Sequence, residues 1–449
     1  APEDRASASG LFERAAVESG KAVYNADFNG EHRLGVGPYQ FLIRNGVRDS
    51  TAAAFLGAHH RGDRPGNSST PNVDLEPRAL VSRVLFANRN YSNDNNKGTT
   101  RTNHAKTNTN VTAHGVLYTS ADGAERYARA RHEIILSAGA LGTPAVLLRS
   151  GVGGPDVGRG LMDGVFLIAQ FLLDGTNDDG WERCSLFDPS TARSKFCLRA
   201  ARLYTLGDAG GTRRGAYAMP GISTGLFFQS PYAAPESGPD IQVTFHPWDK
   251  FQRNWTKLEV GRGRAFAEGS RVVTMEISNN HARSRGSVRL GQGGAQDASI
   301  PTVVDTPYMK DEYDAKALIW ALQEVRQIMQ FDEMHATELL PGSGVVSDTD
   351  IVHYIKCGAP EFRPRGVACD TSSMGVTHFG GTARLGRVVN DRLQVLGTRG
   401  LRVADASIMP TLPSGNTHAT TMMIGEKAAD MILQSRIREA TYINMKEEF

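Results

Sequence analysis

Apolar and polar positions alternate with a period of two along Leu80-Val81-Ser82-Arg83-Val84-Leu85-Phe86, along residues 240–245 and along residues 271–277. Residues 284–290 extend that pattern. Successive side chains of a strand point to opposite faces, so these runs predict strands with two different faces. Residues 116–118 and 124–130 read as strands returning to the first run. The apolar run ending in Ile134-Ile135-Leu136, just before Ser137-Ala138-Gly139-Ala140, predicts a buried strand. A second period governs residues 311–331. Leu318, Ala321, Leu322, Val325, Ile328 and Met329 recur at helical spacing and predict one apolar helix face. Between them, residues 88–110 are rich in Asn, Thr and Lys without apolar periodicity, and predict a mobile hairpin loop.

The strand at 134–136 is followed by Thr143-Pro144, which predicts a helix start with Thr143 as the cap and Pro144 in the first turn. Gly151 predicts its end. Such a strand–turn–helix unit lets small residues bring backbone N–H groups close to a cofactor. Gly151-Val152-Gly153-Gly154 and Gly158-Arg159-Gly160 follow a helix rather than a strand, so they are not a dinucleotide fingerprint. The first seventy residues mix short apolar pieces with glycines and contain no strong nucleotide-binding strand.

At 449 residues the chain exceeds what one growing core supports, which predicts two domains. The formal charge of +2 gives no basis for a nucleic-acid partner, and the longest apolar stretch, residues 165–173, is too short to span a bilayer. The spacing of Cys184, Cys197, Cys357 and Cys369 argues against zinc; disulfides within 184/197 and 357/369 and free buried thiols stand as alternatives. Sequons begin at Asn67, Asn90, Asn110 and Asn254 and weakly favour secretion, and Arg61-Gly62-Asp63 reads as a solvated loop.

The last third carries Thr377-His378-Phe379-Gly380-Gly381-Thr382, then Leu401-Arg402-Val403-Ala404-Asp405-Ala406-Ser407-Ile408-Met409-Pro410, then Ser414-Gly415-Asn416-Thr417-His418 and Gly425-Glu426-Lys427. With the earlier Ser-Ala-Gly-Ala strand end and Ser150-Gly151-Val152-Gly153, this block closely resembles the glucose–methanol–choline (GMC) family of flavin oxidoreductases, over roughly residues 12–433. The resemblance implies an α/β plus α+β architecture: a Rossmann-like FAD-binding domain, incomplete at its N-terminus, with a sheet-and-helix substrate domain. It implies FAD-binding segments at 1–159 and 366–435, a substrate domain at 160–365 and a tail at 436–449. FAD is the implied cofactor and a small-molecule alcohol the implied substrate.

Carried over residue by residue, His378 is the implied base, and histidine suits proton transfer near neutral pH. Asn416 is the implied partner that orients the substrate oxygen, because an amide can donate a hydrogen bond where a carboxylate cannot. As a plain structural residue, Asn416 or Thr417 would cap the following helix. His418 is the rival to Asn416, but counting back from Gly425 places it two residues too late. Val81, Ala138, Asp405, Ala406 and Thr417 are the implied cofactor contacts, Val81 towards adenine and Asp405-Ala406 through backbone groups. The helix after Gly425 is expected to pack through Ala428, Ala429 and Ile432.

The family's strand–GxGxxG–helix unit and its glycine–serine loop have no counterpart in the sequence. This predicts either a portion of a longer polypeptide, its missing segment or a partner chain completing the fold, or a truncated remnant without catalysis. Residues 338–348 also resemble the family's photodecarboxylase branch, but Ile222 and Thr244 stand where that branch has its cysteine and arginine, and His378 suits alcohol oxidation. A non-redox lyase on the same scaffold is the remaining enzymatic alternative.

Overall fold

The computed structural model describes residues 7–56, 73–87, 111–173, 195–206, 216–219, 221–249, 270–332, 334, 336–358 and 375–447. The polar tract 88–110, the four sequons, Arg61-Gly62-Asp63, Cys184 and Cys369 lie outside these residues. Cys197 and Cys357 are each disulfide-bonded.

The chain forms two interleaved compact units. The first comprises residues 1–71, 164–282 and 311–376; the second comprises 72–163, 283–310 and 377–449. This interleaving is finer than the expected division at 159/160 and 365/366. Residues 1–71 belong with the large sheet, and residues 283–310 with the unit that carries His378.

The first unit is built on a six-stranded sheet. Its order is Gly35–Pro38, Thr224–Phe228, Ile241–His246, Arg271–Asn279, Val165–Leu173, Ala336–Leu340, and every pairing is antiparallel. Register pairs Val243 with Ile277 and Phe245 with Met275, which puts these apolar side chains on one fully buried face. The predicted helix runs Glu312–Met329, started by the carboxylate of Asp311, which accepts from Tyr313 N at 2.9 Å. All six residues of its predicted apolar face are fully buried. A helix not predicted, Ala8–Glu18, buries Phe12, Ala15 and Ala16, and the Phe12 ring stacks on Phe245 with centroids 4.8 Å apart.

On the opposite face the same register lines up polar groups: Gln242 with Ser278, Thr244 with Glu276, His246 with Thr274, and Thr274 with Gln170. Gln170 and Thr274 are fully buried, so hydrogen bonding must replace their lost hydration. Gln170 Nε2 donates to Thr274 Oγ1 at 2.9 Å and to Asp249 Oδ1 at 2.8 Å. Asn280 Nδ2 donates to Gln242 Oε1, and Gln242 Nε2 donates to the Tyr39 hydroxyl, both at 2.9 Å. Burial pushes the Tyr39 phenol up to about 12.

In the second unit the strands Leu80–Ala87, Val111–Thr119 and Glu125–Arg129 form the predicted antiparallel meander. Ile134–Leu136 and Leu401–Val403 pair in parallel. The segment predicted as a sheet strand near 284–290 forms Gly286–Leu290, but it pairs with Arg159–Leu161 and Thr302–Asp305 in this unit. Alternation shows that a segment is a strand and says nothing of which sheet it joins. The final helix, Thr417–Glu447, includes most of the expected tail. It packs through Ile424, Ala428 and Met431, one stripe at helical spacing, whereas Ala429 is exposed and Ile432 only half-buried. Among the described residues no helix is long and apolar enough to cross a membrane.

The stacked Phe12–Phe245 pair joins the N-terminal helix to the sheet, so Phe245→Ala should destabilise the first unit by about 3–5 kcal/mol, and Leu322→Ala by about 2–5 kcal/mol. Urea unfolding followed by tryptophan fluorescence measures both.

Candidate active site

The parallel strands 134–136 and 401–403 end side by side, and Ala404 N continues the ladder to Leu136 O at 2.9 Å. The crevice outside the carboxyl ends of parallel strands is where ligands bind in α/β folds. Here the strand ends deliver Ala138 and Asp405. Asp405 is buried, and its carboxylate accepts from Gly139 N at 2.9 Å, from the Thr143 hydroxyl at 2.5 Å and from Ser407 N at 2.8 Å. Its side chain is therefore an internal clamp, and only its backbone is left to meet a cofactor.

This clamp changes the helix start. The helix runs Gly139–Ser150 with Ala138 at the cap position, five residues ahead of the cap the sequence suggests at Thr143. Pro144 then sits inside the helix, where it cannot donate to the carbonyl of Ala140. The Thr382 hydroxyl donates to that carbonyl instead, at 2.6 Å. Gly151 ends the helix in the left-handed region as expected, at φ 63°.

His378 is positioned through its backbone. Met162 and Gly380 exchange two N–H···O bonds of 3.0 Å, which sets Asp163 opposite the His378 turn. The Asp163 carboxylate is fully buried and accepts from His378 N at 2.7 Å, Thr377 N at 3.1 Å and the Tyr308 hydroxyl at 2.7 Å. A buried carboxylate needs such donors on both oxygens to replace water. Thr377 has φ 62°, a strained conformation for a β-branched residue, and the Asp163 bond holds its amide there. Burial, and then the hydrogen bond and charge of Asp163, raise the Tyr308 phenol far above its ordinary value.

The imidazole of His378 is half-buried, and its Nε2 lies 3.2 Å from Nδ2 of the exposed Asn416. Asn416 directly precedes the helix Thr417–Glu447, which fixes where its side chain starts. The amide can donate to Nε2 when the ring proton sits on Nδ1. His418 is exposed in the first helical turn. Gly381, at φ 82°, packs so tightly that an added Cβ would lie 2.5 Å from Met162 Cε, and Gly381 N donates to Ala406 O at 3.2 Å. The structure thus brings His378 to Asn416, and Asp405 to the Ala138–Gly139 turn, with Ala406 beside Gly381. Thr417 starts the final helix, and Val81 is half-buried against the core of the second unit.

Asp163 and Tyr308, which support the His378 turn, are the positions that sequence reasoning missed. Neither lies in a motif: Asp163 reaches the amides of residues 377 and 378 across 214–215 residues of chain, and Tyr308 reaches Asp163 across 145.

The residues present fit a flavin nucleotide. Small residues at 137–140 open a 12-residue helix at the strand ends, and nothing lies within 4 Å of a Cβ built on Gly139. Ile135 is 44% exposed on the parallel strand between two buried neighbours, an apolar surface beside that turn. Among the described residues no group of three or more His, Cys, Asp or Glu is arranged to hold a metal ion.

Replacing Asp163 by Asn leaves one oxygen where two accept, so Asp163→Asn should loosen the turn at residues 377–378 and lower stability by about 1–3 kcal/mol, read from the thermal midpoint. Tyr308→Phe should have a smaller effect. The folded-state pKa of Tyr308 is raised, so its contribution to stability is complete below the ordinary phenol value near 10 and declines as pH rises above it. Thermal midpoints between pH 8 and 11 should fall more steeply for the unmodified protein than for Tyr308→Phe.

Family models described as GMC oxidoreductase match residues 1–165 and 282–425. The chain is 30% identical over 447 residues to an alcohol dehydrogenase [acceptor] of Pseudomonas putida, covering 94% of this chain and 68% of that protein. It is 30% identical over 440 residues to the mitochondrial choline dehydrogenase of Mus musculus, covering 94% of this chain and 62% of that protein. The chain therefore spans about two thirds of the length of these relatives. Among solved structures, its fold resembles that of a formate oxidase variant of Aspergillus oryzae, with TM-score 0.70 and 20% identity over 96% of this chain and 71% of that one. A fungal aryl-alcohol oxidase shares the fold at TM-score 0.65 and 22% identity, over 96% and 71% of the two chains. With the FAD-compatible strand ends and the histidine–asparagine pair in one unit, these likenesses lead to one assignment: the chain belongs to the GMC oxidoreductase family of FAD-dependent enzymes acting on CH–OH groups.

Proposed function

We propose that this chain serves FAD-dependent oxidation of an alcohol to an aldehyde or ketone, with His378 as the base and Asn416 orienting the substrate oxygen. The observation that carries this reading is the 3.2 Å approach of Asn416 Nδ2 to His378 Nε2. A hydroxyl oxygen entering between them meets a proton acceptor and an amide donor together. The O–H proton passes to Nε2 of His378 as the neighbouring C–H bond gives up its hydride. FAD, when bound, supplies the acceptor for that hydride and its two electrons. Negative charge grows on the substrate oxygen as its proton leaves, and the Asn416 amide donates to it. Asp163, holding the amides of residues 377 and 378, keeps the imidazole where the proton is released. The alcohol assignment is supported by the Pseudomonas and mouse relatives, an alcohol dehydrogenase and a choline dehydrogenase, choline being itself an alcohol.

The test is anaerobic stopped-flow bleaching of the flavin by an alcohol, with the FAD-loaded full-length protein. His378→Ala should slow bleaching by about 10²- to 10⁴-fold. Asn416→Ala should slow it by about 10- to 100-fold, less than for a buried donor because Asn416 is exposed. An unchanged rate in His378→Ala overturns the base assignment. Turnover with the flavin oxidised throughout would instead mean lyase chemistry.

A further inference from the structure

Two tight turns of the second unit face one another across a cavity of about 270 Å³ lined by Asp156, Arg159, Arg384 and Arg387. In the first turn Arg159 N donates to Asp156 O at 3.1 Å; in the second, Arg387 N donates to Arg384 O at 3.1 Å. Gly158 N donates to Thr382 O at 2.8 Å and pins one turn to the other. Gly160, at φ 74°, lets the Arg384 guanidinium lie against the backbone; a Cβ there would stand 2.2 Å from Nη2.

The charges are unbalanced. Three arginines against one aspartate leave +2 on the lining. Among the described residues, Nε of Arg384 is buried without a hydrogen-bond partner, whereas Arg159 and Arg387 are exposed at the cavity mouth. Lysines crowded together can shed a proton, but guanidinium groups keep theirs; Arg159 and Arg387 are exposed and Arg384 is half-buried, so water hydrates them in part and an anion would relieve the remaining repulsion. The planar guanidinium fork matches a tetrahedral oxyanion in bidentate geometry. A phosphate group carries about −1.5 to −2 at neutral pH, which balances the residual charge. The cavity holds roughly nine water volumes, at about 30 Å³ each, so it has room for a group attached to the phosphate.

We propose that this cavity is a binding site for free phosphate or a small phosphomonoester, held by Arg159, Arg384 and Arg387. It is separate from the proton-transfer role of His378 and does not depend on it. Asp156 lines the same cavity and disfavours ligands of higher negative charge density on its side.

The experiment uses the FAD-loaded full-length protein, so that the flavin's own phosphates are already in place. The thermal midpoint is followed against inorganic phosphate and, separately, methyl phosphate, each matched with chloride at constant ionic strength. A saturable rise with phosphate is expected, and a tenfold or greater weakening of the apparent affinity in Arg387→Gln. Arg159→Glu supplies an internal carboxylate, so it should raise the phosphate-free midpoint and abolish the response. The ³¹P line of the ligand should broaden with the unmodified protein and stay sharp with Arg159→Glu. Tighter binding of methyl phosphate assigns the cavity to a phosphomonoester, and equal or weaker binding assigns it to free phosphate. A response that chloride reproduces, that survives in both variants, or that is absent altogether overturns the proposal.

Discussion

The Asp405 carboxylate is the constraint on which the second unit depends. It joins the end of one parallel strand to the start of a helix 266 residues earlier in the chain, through Gly139 N and the Thr143 hydroxyl. A carboxylate buried there would be costly on its own; donors on both oxygens, from Gly139, Thr143 and Ser407, stand in for water. The consequence is geometric. With the helix begun at Gly139, the strand ends lie level and small residues form the crevice at their tips. Thr382 then fills the hydrogen-bond gap that Pro144 leaves, and so brings the glycine turn after His378 to the same place.

Asp163 repeats this device at the His378 turn. One fully buried carboxylate takes the amides of Thr377 and His378, so the imidazole inherits its position from the backbone. Strain at Thr377 is held by the same contact. The polar face of the large sheet in the first unit relies mainly on amides and hydroxyls. Gln170 donates to Thr274 and to the Asp249 carboxylate, and Asn280 donates to Gln242, while Gln170 Oε1 is left without a partner among the described residues. The lining of Arg159, Arg384 and Arg387 breaks this habit, since three arginines there face one aspartate.

The strands and the long helix were legible because each depends on a local period. Residues 318–329 show one apolar face in sequence and one buried face in space, because side chains three and four apart share a side of a helix wherever it packs. The Ala8–Glu18 helix had the same signal at Phe12, Ala15 and Ala16, but over too short a span among glycines to stand out. His378 and Asn416 were legible as family motifs, and their 3.2 Å approach joins two such motifs.

Local chemistry misled where a distant group supplied what the local signal lacked. Thr143-Pro144 reads as a helix start, yet Asp405 and Thr382 let the helix begin earlier. Residues 286–290 read as a strand, yet only pairing with residues 159–161 and 302–305 decided its sheet. Asp163 and Tyr308 carried no signal at all, since a lone acid and a lone phenol become a positioning pair only when folding brings them together. The sequence by itself determined the meander strands, the long helix, the family and the histidine–asparagine pair, which rest on short-range periodicity and contiguous motifs. Tertiary structure alone decided which segments share a unit, which carboxylates are buried as clamps and where three arginines converge, because each depends on contacts between residues far apart in the chain.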